Sequence, residues 1–218
     1  MTKDATPAVG IDLGTTYTAV AYIDDTGRPI TLVNAEGDLV TPSAVLFEGD
    51  QAIVGKEALK AISTEAEHVA QCAKRELGER AFHKVIDGRR FPPEALEAFI
   101  LNKVRLDAIR HIGDFRKVVI TVPAYFDEVR RKATQDAGHM AGFEVLDIIN
   151  EPTAAAIAHG VLKGFLNRDG QANQPRKLLV YDLGGGTSAC ACCRACSAGS
   201  SSQPLPKPNS RSMVSSST

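Results

Sequence analysis

What the chain lacks narrows its function first. None of its 218 residues belongs to an apolar run of about 18, the length a membrane-spanning helix needs. The opening Met1-Thr-Lys-Asp-Ala-Thr-Pro7 has no apolar core of a secretory signal, so a cytoplasmic protein is expected. Charge of one sign is missing too: 25 basic residues face 26 acidic ones, for a net charge of -1. Without a strong overall field, neither nucleic acid nor an anionic membrane is expected as a partner. The five histidines are scattered with no metal-ligand spacing. Neither a Gly-x-x-x-x-Gly-Lys-[Ser/Thr] loop nor a Gly-x-Gly-x-x-Gly fingerprint occurs, so P-loop and Rossmann readings lose their defining element.

Cysteine is almost absent until the end. Cys72 stands alone in the first 187 residues, whereas Cys190, Cys192, Cys193 and Cys196 crowd into seven positions. From Ser188 to Thr218 there are ten serines, three prolines, three basic residues and no acidic residue. The segment before it therefore carries 22 basic and 26 acidic residues, so Ser188 marks a boundary. A Ser- and Pro-rich stretch buries too little surface to offset its ordering entropy, and disorder is expected over 188–218. The Cys-x-Cys-Cys-x-x-Cys spacing within one short segment suits a tetrahedral zinc ion poorly. The abrupt change reads as a reading-frame slip or a truncated gene.

Within residues 1–187, strand and helix signals alternate. Strands are expected at Ala8–Leu13, Tyr17–Asp24, Pro29–Asn34, Ala44–Phe47, Gln51–Val54, Lys117–Val122, Glu144–Ile149 and Lys177–Leu183. Helices are expected over Lys56–Cys72, from Pro92 to about His111, over Asp127–Ala141 and over Pro152–Leu162. Early hairpins followed by strand–helix alternation predict an α/β domain with a mixed sheet flanked by helices.

Two segments repeat one plan. Gly10-Ile-Asp-Leu-Gly-Thr-Thr16 and Val180-Tyr-Asp-Leu-Gly-Gly-Gly-Thr187 each run an apolar strand into Asp, Leu, a glycine turn and Thr. Glycines let the backbone turn tightly and approach a ligand, and the freed N–H groups with threonine hydroxyls form an anion cradle. Gly14, Thr15, Thr16, Gly184, Gly185, Gly186 and Thr187 thus read as phosphate grips. A carboxylate beside phosphate is repulsive unless a divalent cation sits between them, so Asp12 and Asp182 read as organisers of Mg²⁺ through water. The alternative, a plain strand-end turn, fits either motif alone better than it fits the matched pair. Glu151 ends a third apolar run; it either favours a helix dipole or adds to the metal site.

Several further blocks carry a resemblance. Ala73-Lys-Arg-Glu-Leu-Gly78, Ile120-Thr-Val-Pro-Ala-Tyr-Phe126, Ala133-Thr-Gln-Asp-Ala-Gly138 and Ile148-Ile-Asn-Glu-Pro-Thr-Ala-Ala-Ala-Ile-Ala158 fall in order between the two Asp-Leu-Gly turns. Together, over roughly Val9 to Thr187, they resemble the nucleotide-binding domain of the 70-kilodalton heat-shock chaperones, the DnaK-type proteins. The resemblance implies an actin-like (ribonuclease H-like) ATPase fold, with the first lobe complete and the second only begun. It implies ATP or ADP and Mg²⁺ as ligands, with Asp12, Glu151 and Asp182 around the hydrated ion. Thr15, Thr16 and Tyr17 would line one phosphate loop, and Gly184 to Thr187 the other. Lys74, read alone as an ordinary solvated lysine, would reach the γ-phosphate and position the attacking water. Pro123, Arg131 and Pro152 would form a relay to a peptide-binding domain. By family the partners are a J-domain cochaperone, a nucleotide-exchange factor and unfolded client peptides.

The chain also departs from that pattern. Ser188-Ala189 stands where the family continues with Phe-Asp, the segment from Lys74 to Pro123 is short, and the linker and peptide-binding domain are not matched. Impaired hydrolysis and an exposed apolar surface are therefore expected. Two other readings remain open at this stage: a sugar kinase or actin-like filament protein, and a non-catalytic remnant.

Overall fold

The computed structural model describes residues 8–167, 171–172, 174, 176–183 and 188–195. The strands are β1 (Val9–Leu13), β2 (Tyr17–Ile23), β3 (Pro29–Thr31), β4 (Thr41–Pro42), β5 (Ala44–Glu48), β6 (Gln51–Val54), β7 (Val69–Gln71), β8 (Val85–Ile86), β9 (Arg89–Arg90), β10 (Lys117–Val122), β11 (Glu144–Asn150), β12 (Arg176–Leu183) and β13 (Ser188–Ala195). The helices are α1 (Lys56–Ala61), α2 (Pro93–Ile112), α3 (Glu128–Met140) and α4 (Glu151–Leu162).

A mixed sheet in the order β11-β10-β1-β2-β3 forms the centre, with β4 also paired to β2. β1 runs parallel to β10, and β10 to β11, while β1–β2 and β2–β3 are antiparallel. A second, antiparallel sheet has the order β6-β5-β7. The expected α/β class and mixed sheet are what the chain adopts.

Alternation along the strands sorts the two faces of the main sheet, because successive side chains point to opposite sides. Val9, Ile11 and Leu13 of β1 and Val118, Ile120 and Val122 of β10 are buried. Most of them pack in one core with Leu96, Ile100, Leu101 and Val104 of α2. Phe115 and Phe143 stack at 5.7 Å between ring centres within that core. The intervening residues, Gly10, Asp12, Val119 and Thr121, lie on the opposite face and line a cleft. Burial of three apolar residues thereby aims Asp12 away from the core.

α2 begins at a proline, which needs no amide partner in the first turn, and stops at Gly113, whose φ of 76° a side chain would disfavour. Its buried positions, Leu96, Glu97, Ile100, Leu101, Val104, Asp107 and Ala108, follow the three- and four-residue spacing of one helix face.

Two expectations are corrected. The single helix over Lys56–Cys72 is instead the six-residue α1, a 3₁₀ turn at Ala66–His68 and strand β7. Ser63 and Thr64 hydroxyls donate to the Lys60 and Ala61 carbonyls, ending the helix, and Val69 pairs with Leu46 on the edge of β5. Ser188–Ala195, expected to open a disordered tail, is strand β13, paired antiparallel with β12 from Ser188↔Leu183 to Ala195↔Arg176. Composition speaks only to side-chain burial, whereas a neighbouring strand satisfies this backbone through its own ladder. Residues 196–218 lie outside the described residues.

Candidate nucleotide cleft

The cleft has a volume of about 700 Å³, within the range of small-molecule sites. Its floor is the exposed face of the central sheet. Gly14, Thr15, Thr16 and Tyr17 come from the β1–β2 turn, Lys74 from a 3₁₀ turn at Ala73–Glu76, and Glu151, Ala154 and Ala155 from α4. Asp182 completes the lining from β12. Asp12, Glu151 and Asp182, each at or beside the end of a strand, thus face one space. Of the expected site residues, Gly184, Gly185, Gly186 and Thr187 lie outside the described residues.

The β1–β2 turn is built tightly. A Cβ on Gly14 would sit 2.1 Å from the Tyr17 carbonyl oxygen, so only glycine fits there. The Ser43 hydroxyl donates to the Gly14 carbonyl at 2.8 Å and bonds the buried Thr18 hydroxyl at 3.0 Å. The Ser43 amide donates to the Thr16 carbonyl at 2.8 Å. Ser43, which the sequence does not single out, therefore anchors the turn from the neighbouring segment.

Lys74 is 2% exposed, which is rare for a lysine. Its ammonium donates to the Leu13 carbonyl and to Glu151 Oε1, the latter at 2.5 Å. This placement replaces the solvated lysine that its local sequence alone suggests. Burial pushes the Glu151 carboxyl above its usual range; Lys74 opposes the shift, and the charges of Asp12 and Asp182 add to it. The three carboxylates therefore share one field, with Lys74 as the cation paired within it. Thr121 also goes unmarked in the sequence; its hydroxyl donates to Asp12 Oδ1 at 2.7 Å and fixes that carboxylate on the cleft face.

Arg131 of α3 ties the cleft's edge to the turn after β10. Its guanidinium donates to the Phe126 carbonyl at 3.3 Å, the Ile148 carbonyl at 3.2 Å and the Asn150 side chain. Asn150 directly precedes Glu151 and Pro152, at the start of α4. The Pro123 carbonyl accepts the Phe126 amide at 3.1 Å in the same turn. Pro123 and Arg131 thus each bond to Phe126, and Arg131 also bonds to Asn150, two residues before Pro152.

Among the described residues, no three acidic, histidine or cysteine groups converge closely enough to grip a bare ion. No helix there is long and apolar enough to cross a membrane.

The profile of the family described as Hsp70 protein matches residues 8–199. The chain belongs to the Hsp70 family. The match continues twelve residues past Thr187, where the sequence resemblance was expected to stop, and takes in β13. Among curated relatives, the chaperone protein DnaK of Thermotoga neapolitana is 44% identical over 182 residues, covering 82% of this chain and 29% of that protein. The DnaK proteins of Thermotoga petrophila and Thermotoga maritima match with the same identity and coverage. The chain thus spans 29% of the length of these relatives. The mixed sheet and flanking helices of this Hsp70-family chain are those of the actin-like ATPase fold.

Proposed function

We propose that residues 1–187 form the N-terminal portion of an Hsp70-type nucleotide-binding domain, β12 being the start of a second lobe. In this reading the cleft binds ATP or ADP with Mg²⁺. One observation carries it: Asp12, Glu151 and Asp182 face a single cleft around one buried lysine. Asp12 and Asp182 oppose the ionisation of Glu151, and a divalent cation in the cleft would relieve that repulsion. Bound there, Mg²⁺ would neutralise phosphate charge beside the carboxylates.

The chain's own groups do the rest. Thr15, Thr16 and Tyr17, on a turn braced by Ser43, offer donors to phosphate oxygens. Lys74 can exchange its bond to Glu151 for one to the terminal phosphate, bringing positive charge to where negative charge develops. Arg131, Asn150 and Pro152 would transmit the state of Glu151 to the turn holding Pro123. Within a whole chaperone this would drive binding and release of unfolded peptides, with a J-domain cochaperone and a nucleotide-exchange factor as partners, in the cytoplasm. Hydrolysis by this chain is expected to be slow, because phosphoryl transfer needs the reacting groups held from both sides.

The family match leaves no place for the sugar-kinase or actin-like alternative. Calorimetric titration of the folded chain with Mg·ATP and Mg·ADP tests the reading. Saturable binding that weakens when Asp12 is changed to Asn supports it; no binding of either nucleotide at millimolar concentration defeats it.

A further inference from the structure

Two of the three cleft acids each have one oxygen occupied by a protein donor. Glu151 Oε1 accepts from the buried Lys74 ammonium at 2.5 Å. Asp12 Oδ1 accepts from the Thr121 hydroxyl at 2.7 Å, which leaves Oδ2 outside that bond. The first contact pairs opposite charges away from water. The second joins a neutral side chain to an exposed carboxylate that water could serve as well, so its value lies in geometry.

The sheet forces that contact. β1 and β10 run parallel in register from Val9↔Val118 to Ile11↔Ile120, so Asp12 and Thr121 come next, side by side. Ile11 and Ile120 are buried in the core, and alternation turns the following side chain of each strand to the cleft. On the other side of β1, Asp12 pairs with Ala19, whose methyl group donates nothing. Of the two strands that flank Asp12, only β10 thus sets a hydroxyl beside it. Threonine is stiff at χ1, so this hydroxyl holds the carboxylate in one orientation.

A carboxylate held at one oxygen is a poor chelator. Ca²⁺ gathers about six to eight oxygen ligands and readily takes both oxygens of one carboxylate, whereas Mg²⁺ keeps several waters and uses few carboxylates. We propose that Thr121 is a positioning residue that acts through Asp12: by occupying Oδ1 and fixing the carboxylate, it makes the cleft select hydrated Mg²⁺ over Ca²⁺ as the cation bound with nucleotide. The proposal rests on the reading of the cleft as a magnesium–nucleotide site.

The experiment measures ADP affinity of the full 218-residue chain by calorimetry, with Mg²⁺ or Ca²⁺ as the sole divalent cation, in the parent, Thr121→Val and Thr121→Ser proteins. Valine keeps the branched shape without the hydroxyl, and serine keeps the hydroxyl. The parent should bind Mg·ADP more tightly than Ca·ADP. Thr121→Val should narrow that preference roughly five- to tenfold, the scale of one hydrogen bond, and Thr121→Ser should stay within about twofold of the parent. Equal weakening with both cations in Thr121→Val would reveal a structural role only and overturns the proposal. So does a parent without preference for Mg²⁺, or a preference that narrows as much with serine as with valine. Should Thr121→Val fail to fold, Thr121→Ala is read by the same outcomes. A parent that binds ADP with neither cation overturns the nucleotide reading itself, and this proposal with it.

Discussion

The Lys74 ammonium reaches Glu151 Oε1 at 2.5 Å across 77 residues of sequence, from a 3₁₀ turn on one side of the cleft to the first residue of α4 on the other. The two side chains are 3% and 15% exposed, so little water screens the pair. Glu151 also stands at a helix start, where the backbone dipole favours a carboxylate. Asp12 and Asp182 work against that charge. The ion pair is thus the balance point of the cleft, and phosphate would compete for the same lysine.

Changing Lys74 to Met should push the Glu151 carboxyl further up, because it keeps its burial and its acidic neighbours and loses its cation. The folded state should lose about 2 kcal/mol, as for other buried charges deprived of a partner. Carboxyl-carbon NMR titration reads the first effect and urea denaturation the second. An unchanged Glu151 titration would mean that the two side chains are not paired in solution.

Stability should decline as pH rises through neutrality. The Glu97 carboxyl titrates near 4.5 when unfolded and at about 7 when folded, so the folded state holds its proton longer. Its contribution is complete below the unfolded value and is lost as pH climbs through the folded one, amounting to about 3 kcal/mol. The Glu151 shift has the same sign. Relative to the parent, Glu97→Gln should gain stability from pH 5 to pH 8 in urea melts, since an amide has no carboxylate to ionise. A parent-to-variant difference that stays constant with pH would count against the buried charge.

Arg131 and Asn150 should couple. Removing either leaves a half-buried partner short of a bond, and removing both leaves fewer stranded groups than the two single changes imply. A double-mutant cycle with Arg131→Ala and Asn150→Ala should give a coupling of about 1–2 kcal/mol in urea melts. Strict additivity would show that the contact does not hold the start of α4.

Two glycines on β1 and its turn should respond differently to alanine. At Gly10 the nearest atom to an added Cβ is the Ala21 oxygen at 3.8 Å, ordinary contact. At Gly14 it is the Tyr17 oxygen at 2.1 Å, so the turn must open. Gly14→Ala should weaken Mg·ADP binding at least tenfold by calorimetry, which corresponds to about 1.4 kcal/mol. Gly10→Ala, which adds a methyl group to the cleft face without moving the turn, should weaken binding much less. Equal behaviour of the two would remove the β1–β2 turn from the phosphate site.

Much of this was legible in the order of residues. β10 falls at Lys117–Val122 as its apolar run indicates, and α3 and α4 lie within a residue of their capping signals. Asp12 could be placed at a strand end because Val9, Ile11 and Leu13 alternate with polar or small neighbours. The helix expected over Lys56–Cys72 was not legible, because local spacing does not reveal that Val69 pairs with Leu46. Nor was Ser43, whose hydroxyl matters only because the Gly14 carbonyl comes within 2.8 Å of it. The ordering of Ser188–Ala195 rests on a backbone ladder, to which composition is blind.

Alternating apolar residues, glycines at forced turns and prolines at helix starts are local properties, and they determined the strands, the helix starts and the Asp-Leu-Gly bends. Folding alone decided that Lys74 would be buried, that its partner would be Glu151, and that Glu97 would be buried on α2. Charge interactions depend on distance and on exclusion of water, and both arise when segments far apart in the chain pack together.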